Sequence, residues 1–211
     1  MSKPKISYTN YSTIIINNLK LLKLYKTKKS FKDFYNNYID NYVSPNIRKI
    51  DDPETYIINN KKAYYEHTDE HKSYDLSTTV LLYNKKPIGI TNVLKINPES
   101  DNYKWSIFKK LPKKYKNHSH PYFYLFGTFI DENHRGKKLN DWMFNKIKKD
   151  IKYIQKSYNK KFKSIGGFIC MIKETNIPSI KSYTKMGFKK RTDLKTKDTY
   201  KNYSWYVYDC N

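Results

Sequence analysis

The sequence is short of several residue types that usually decide a chemistry. It holds two cysteines in 211 residues. Cys170 lies in an apolar run and Cys210 is next to last. Neither has metal-ligand spacing, and a single pair excludes a disulfide framework, so a reducing interior is expected. No apolar run approaches the ~20 residues needed to span a bilayer. The N-terminal MSKPKISYTN lacks the apolar core of a secretion signal. The expectation is a soluble, cytoplasmic protein with no membrane partner. Acidic residues number 19 against 42 basic ones, giving a formal net charge of +23. Arginine is nearly missing and occurs only at Arg48, Arg135 and Arg191.

That charge invites a nucleic-acid reading. The lysines, however, are scattered over every segment and form no single stripe. Lys, Asn, Ile and Tyr are all abundant, as an AT-rich coding genome would produce. Weak non-specific polyanion binding is expected, and nucleic acid is not the expected main ligand. At 38% hydrophobic and 17% aromatic the chain is globular. Its length suits one domain over residues 1–211.

One stretch organises the rest. YFYLFGTFID is aromatic and apolar and reads as a buried strand. After a polar turn, Leu139, Trp142, Met143, Ile147, Ile151 and Ile154 recur three to four apart and predict an amphipathic helix. A strand turning into a helix start aims backbone N–H groups at one point, with the positive end of the helix dipole behind them. Such a corner binds phosphate.

The other elements fall around it. Residues 6–16 predict a first strand. Ser30 reads as the cap of a helix carrying Phe31, Phe34, Tyr35, Tyr38 and Tyr42 on one face. Asp52-Pro53-Glu54 signals another helix start. Residues 77–83 and 87–96 predict a hairpin around the turn at 84–86. Residues 97–119 read as a long loop. A strand over 164–172 and a helix over 177–186 follow, the helix capped by Asn176 and stopped by Gly187. Two final strands are expected at 188–191 and 203–209. The pattern predicts an α/β (α+β) fold with a partly antiparallel sheet.

Two segments carry a family resemblance: IDENHRGKKLN at 130–140 and NIPSIKSYTKMGF at 176–188. With an apolar strand between them, they resemble the GNAT family of N-acetyltransferases. That family's first motif is a strand followed by Arg/Gln-x-x-Gly-x-Gly/Ala opening a helix; its second is an Asn, a short helix with a Tyr, and Gly-Phe. Lys138 and Asn140 stand where the family usually has glycines. The resemblance covers about residues 77–208 and implies a mixed, mostly antiparallel sheet of six or seven strands with helices on both faces. It also implies that residues 1–76 form the acceptor side and 77–208 the cofactor-binding core.

The resemblance implies acetyl-coenzyme A as co-substrate. Its pyrophosphate would sit on the turn made by Arg135, Gly136, Lys137, Lys138, Leu139 and Asn140. Its pantetheine arm would pair with the backbone at Phe129 and Ile130, and Asn176 would approach that arm. Tyr183 stands where many members place a general acid, and a phenol there can protonate a departing thiolate. Glu174 is the first candidate for the general base, with Tyr122 and His120 as others. His118 and His120 have spacing that suits a metal, but no further ligands stand out, and no metal is expected. Glu66, Asp69 and Glu70 form a local acidic group in a basic chain and suggest a small cationic acceptor such as a polyamine. Protein lysines and amino sugars stay open as acceptors, and so does a homodimer. The rival of another class is a non-catalytic nucleic-acid-binding protein on the same fold.

Overall fold

The computed structural model describes residues 8–16, 18–43, 52–54, 57, 76–96, 111–116, 119–157, 164–194 and 201–210. Seven strands form one sheet in the order β1-β2-β3-β4-β5-β7-β6. They are β1 (Tyr11–Ile16), β2 (Leu76–Tyr83), β3 (Lys86–Lys95), β4 (Tyr122–Ile130), β5 (Gly167–Lys173), β6 (Lys189–Arg191) and β7 (Tyr203–Asp209). Among the described residues, four α-helices of at least nine residues accompany them: α1 (Asn18–Thr27), α2 (Lys29–Tyr38), α3 (Leu139–Ser157) and α4 (Ile177–Lys185). The β4–β5 ladder is parallel, and β1–β2, β5–β7 and β6–β7 are antiparallel. The mixed sheet expected from the element pattern is therefore present.

Two compact units divide the chain. One holds Met1–Asn92 with Gly127–Ile147, and the other holds Val93–Phe126 with Lys148–Asn211. The division falls inside β3 and β4.

In the first unit, α2 presents Phe31, Phe34, Tyr35 and Tyr38 to an apolar cluster with Ile16, Val80, Leu82, Ile90 and Phe129. Each such side chain contributes about 1.5–3 kcal/mol when fully buried. Ser30 does not cap this helix. Lys28 is the N-cap and makes no side-chain cap bond, because α1 ends at Thr27 and α2 begins two residues later. Asp52 does act as a start signal: its Oδ1 accepts from Glu54 N at 2.9 Å. The β2–β3 hairpin turns on Asn84 and Lys85, both left-handed (φ 47° and 64°), which is the arrangement a two-residue hairpin prefers.

In the second unit, Tyr122 anchors the start of β4. Its hydroxyl donates to Asp209 Oδ1 at 2.6 Å, and its ring meets Tyr115 edge-on at 4.8 Å. Phe168, Ile169, Trp205 and Val207 form the buried floor. The β5 strand starts at Gly167 rather than at 164, and a side chain at Gly166 or Gly167 would run into the Tyr122 ring.

Candidate active site

The site begins with a defect in β4. At one end Asp131 N donates to Ile88 O; at the other Ile96 N donates to Tyr122 O. Nine residue steps along β4 thus span eight along β3. One extra residue in an antiparallel strand is a β-bulge, and Gly127 at φ 62° is the left-handed residue that absorbs it. A Cβ there would lie 2.6 Å from Tyr38 Oη and 2.9 Å from Asn92 Nδ2. The ladder from β4 to β5 covers only Tyr122 to Tyr124 against Gly167 to Ile169. Residues 125–130 continue β4 beyond it, and Phe129 and Ile130 fall in that stretch.

The turn after β4 is tightly built. Asp131 Oδ1 accepts from Asn133 N at 3.1 Å, and Asn37 Nδ2 on α2 donates to Asp131 Oδ2 at 3.3 Å. A short 3-10 turn, Glu132–His134, follows. Arg135 folds back, its Nε donating to Ile130 O at 2.9 Å and its guanidinium lying 5.7 Å over the Phe129 ring. Gly136 is left-handed, with open space where a side chain would be. Lys138 is left-handed as well, at φ 54°. A lysine pays about 1–2 kcal/mol for that conformation. The backbone thus takes a glycine-like shape at one of the positions where the resemblance has glycine. Lys138 O then accepts from Trp142 N at 3.1 Å and opens α3. Leu139 is buried, and Lys137 Nζ reaches Asn133 O at 3.4 Å. Gly136, Lys137 and Lys138 leave a basic, backbone-rich corner at the positive end of a 19-residue helix.

His134 stands behind this corner. Its ring meets Tyr83 at 5.0 Å and Tyr11 at 6.3 Å, and its Nδ1 is buried without a hydrogen-bond partner among the described residues. Burial first, then the Lys137 charge, hold its pKa below the ordinary imidazole value, so it is neutral near pH 7 and adds no charge to the turn.

In the second unit, Asn176 caps α4 as the sequence indicates, its Oδ1 accepting from Ser179 N at 3.2 Å. The helix ends in a Schellman motif. Phe188 N donates to Tyr183 O and Gly187 N to Thr184 O, both at 3.0 Å, with Gly187 at φ 96°. The Tyr183 and Phe188 rings meet edge-on at 5.0 Å, the apolar contact this motif favours. Tyr183 therefore has a packing role whatever else it does.

The base candidates are distinguished by their surroundings. Glu174 is exposed, and its Oε1 accepts from Ser204 Oγ at 2.7 Å and Lys190 Nζ at 3.0 Å. The Ser204 bond first, then Lys190, pull its pKa below the ordinary value, which makes it a weaker base. Burial and the bond to Asp209 raise the Tyr122 pKa, which keeps that phenol protonated. His120 Nδ1 lies 2.8 Å from Ser164 Oγ. His118, Glu66, Asp69 and Glu70 lie outside the described residues, and no metal-binding cluster occurs among the described ones. No helix among the described residues is long and apolar enough to cross a membrane.

No protein-family profile and no curated protein matches the sequence. The fold has clear counterparts among solved structures. A GNAT-family acetyltransferase from Staphylococcus aureus Mu50 superposes with a TM-score of 0.53 at 15% identity, over 95% of this chain and 99% of the other. Arabidopsis thaliana NAA60, solved in complex with acetyl-CoA, gives 0.53 at 14%, over 95% and 99%. A ribosomal-protein-alanine N-acetyltransferase from Brucella melitensis gives 0.53 at 12%, over 94% and 99%. The chain has the GNAT acetyltransferase fold.

Sequence reasoning missed the bulge and its polar neighbours. Gly127 fell within a stretch read simply as a buried strand, and Tyr38 was one of several apolar-face residues. Asn92, in a run of apolar and β-branched residues, is a type depleted in strands and could have been the signal.

Proposed function

We propose that the protein is an acetyl-coenzyme A-dependent N-acetyltransferase that moves the acetyl group directly to a primary amine. The observation that carries the reading is the sequence of features in β4 and beyond: a glycine bulge, strand backbone outside the β5 ladder, and a left-handed basic turn opening α3. The turn at Gly136, Lys137 and Lys138, with Arg135, Leu139 and Asn140 around it, fits a pyrophosphate. The backbone at Phe129 and Ile130 suits an extended arm that adds as a strand, although Arg135 already occupies the Ile130 carbonyl. Asn176 serves α4 as a cap, and its approach to that arm is part of the reading.

In this mechanism the free amine attacks the thioester carbonyl and a C–N bond forms. The tetrahedral intermediate then collapses, the C–S bond breaks, and the thiolate takes a proton from the Tyr183 phenol. Cys170 is buried and its thiol pKa is raised by that burial, which argues against a covalent acyl-enzyme. Glu174 and Tyr122 are poorly placed as bases for the reasons above, which leaves His120, or water, to accept the amine proton. The polyamine reading of the acceptor rests on Glu66, Asp69 and Glu70 in the sequence alone.

The test is acetyl-coenzyme A incubated with a panel of spermidine, an amino sugar, a lysine peptide and an amino-acid amide, following free thiol. Turnover well above hydrolysis with at least one amine is expected. No amine-dependent release with any of them contradicts the reading.

A further inference from the structure

The side chain of Arg135 sits on a backbone group that a strand-like ligand would need. Asp131 N donates to Ile88 O, so residue 131 faces β3. Peptide groups alternate between the two edges along a strand, so the N–H and C=O of Ile130 face the other edge of β4. The ladder to β5 ends at Tyr124, and among the described residues no strand pairs with that edge at Ile130. An open edge offers its donors and acceptors to any extended chain that lies along it. One acceptor there is already taken: Arg135 Nε donates to Ile130 O at 2.9 Å. The guanidinium lies 5.7 Å over the Phe129 ring, which Phe34, Tyr38 and Tyr42 hold from α2 and the turn after it. Arg135 is nonetheless exposed and has no carboxylate partner among the described residues. The bond to Ile130 O uses one of its five N–H donors. Its backbone stands one residue before Gly136, at the start of the basic turn, so a guanidinium released from Ile130 O is already beside that turn. A phosphate gives it a stronger, two-pronged partner than a neutral carbonyl does.

We propose that Arg135 is a displaceable latch on the open edge of β4: in the free chain it holds Ile130 O, and it yields that carbonyl to the pantetheine arm as it moves onto the pyrophosphate. The exchange makes Arg135 a specificity-determining residue. It favours a coenzyme that carries its phosphates. It works against a phosphate-free pantetheine, which displaces the guanidinium and offers it no new partner. The inference rests on the acetyl-coenzyme A reading and goes beyond it, because a residue that only contacted phosphate would be indifferent to pantetheine.

The test compares the KM of acetyl-coenzyme A with the inhibition constant of pantetheine, which has the arm and no phosphate. Both are measured in the unmodified chain, in Arg135→Ala and in Arg135→Met. Methionine keeps an unbranched stem over Phe129 and removes every donor. Both variants should raise the KM of acetyl-coenzyme A by about tenfold or more, the loss of a charge-assisted phosphate contact. Both should lower the inhibition constant of pantetheine by about three- to tenfold, the gain from an acceptor no longer occupied. These opposite signs are the signature of the exchange. A pantetheine constant within twofold of the unmodified chain makes Arg135 a phosphate contact alone and overturns the latch. A constant that rises together with the KM makes Arg135 a prop of the turn and overturns it as well. A KM that falls together with the constant leaves the guanidinium without a phosphate partner and overturns the exchange. Pantetheine that inhibits none of the three chains up to its solubility also overturns the latch, while the acetyl-transfer reading stands. An unmodified chain that leaves acetyl-coenzyme A intact with every amine overturns both.

Discussion

Replacing Gly127 by alanine is expected to lower the melting temperature by about 6–12 °C, taking roughly 3 kcal/mol at about 2–4 °C each. The left-handed backbone alone costs a non-glycine residue about 1–2 kcal/mol. The new methyl group would sit 2.6 Å from Tyr38 Oη and 2.9 Å from Asn92 Nδ2, so one of them must move. Moving Asn92 breaks its bond to Thr78, worth about 1 kcal/mol. Differential scanning calorimetry gives the answer, and a shift under about 2 °C would mean that β4 does not carry its bulge at Gly127.

The second large effect is on chemistry. Tyr183→Phe should lower kcat by about 10²-fold or more, as expected for loss of a positioned acid. It should leave coenzyme A affinity within twofold. Phenylalanine keeps the ring that packs edge-on against Phe188, so the Schellman cap survives and folding is little changed. This is why phenylalanine, and not alanine, is the informative substitution: alanine would remove the apolar contact of the cap together with the hydroxyl. A Tyr183→Phe enzyme with unchanged kcat removes the phenol from the mechanism and leaves Tyr183 as a packing residue.

The strands, α3 and α4 were legible because their signals are local. Apolar period, the Asn176 cap and the Gly187 stop lie within a few residues of what they specify. The start of α2 was misread because Ser30 is a good cap in isolation, while the short link from α1 moved the start to Lys29. The turn at 135–140 read as a phosphate corner from its sequence, but its conformation was not legible there. Lys138 hides a left-handed backbone that sequence normally reports through glycine. The same holds for Asn84 and Lys85, in a chain with only six glycines. The polar group at Gly127 was illegible for another reason. Tyr38, Thr78, Asn92 and Gly127 come from α2, β2, β3 and β4, and only the folded sheet brings them together. Glu174 read as the first base candidate because the partners that weaken it, Lys190 and Ser204, lie far along the chain.

The central claim is that the turn opening α3 holds coenzyme A. The most direct measurement is the melting temperature of the full chain titrated with coenzyme A. A ligand at about 100 times its Kd stabilises by about 2.7 kcal/mol, which corresponds to a rise of about 5–11 °C. The account predicts a rise of that size that grows with concentration and shrinks when Gly136 is replaced by a bulky residue such as valine. A melting temperature that coenzyme A leaves unmoved at millimolar concentration would contradict it.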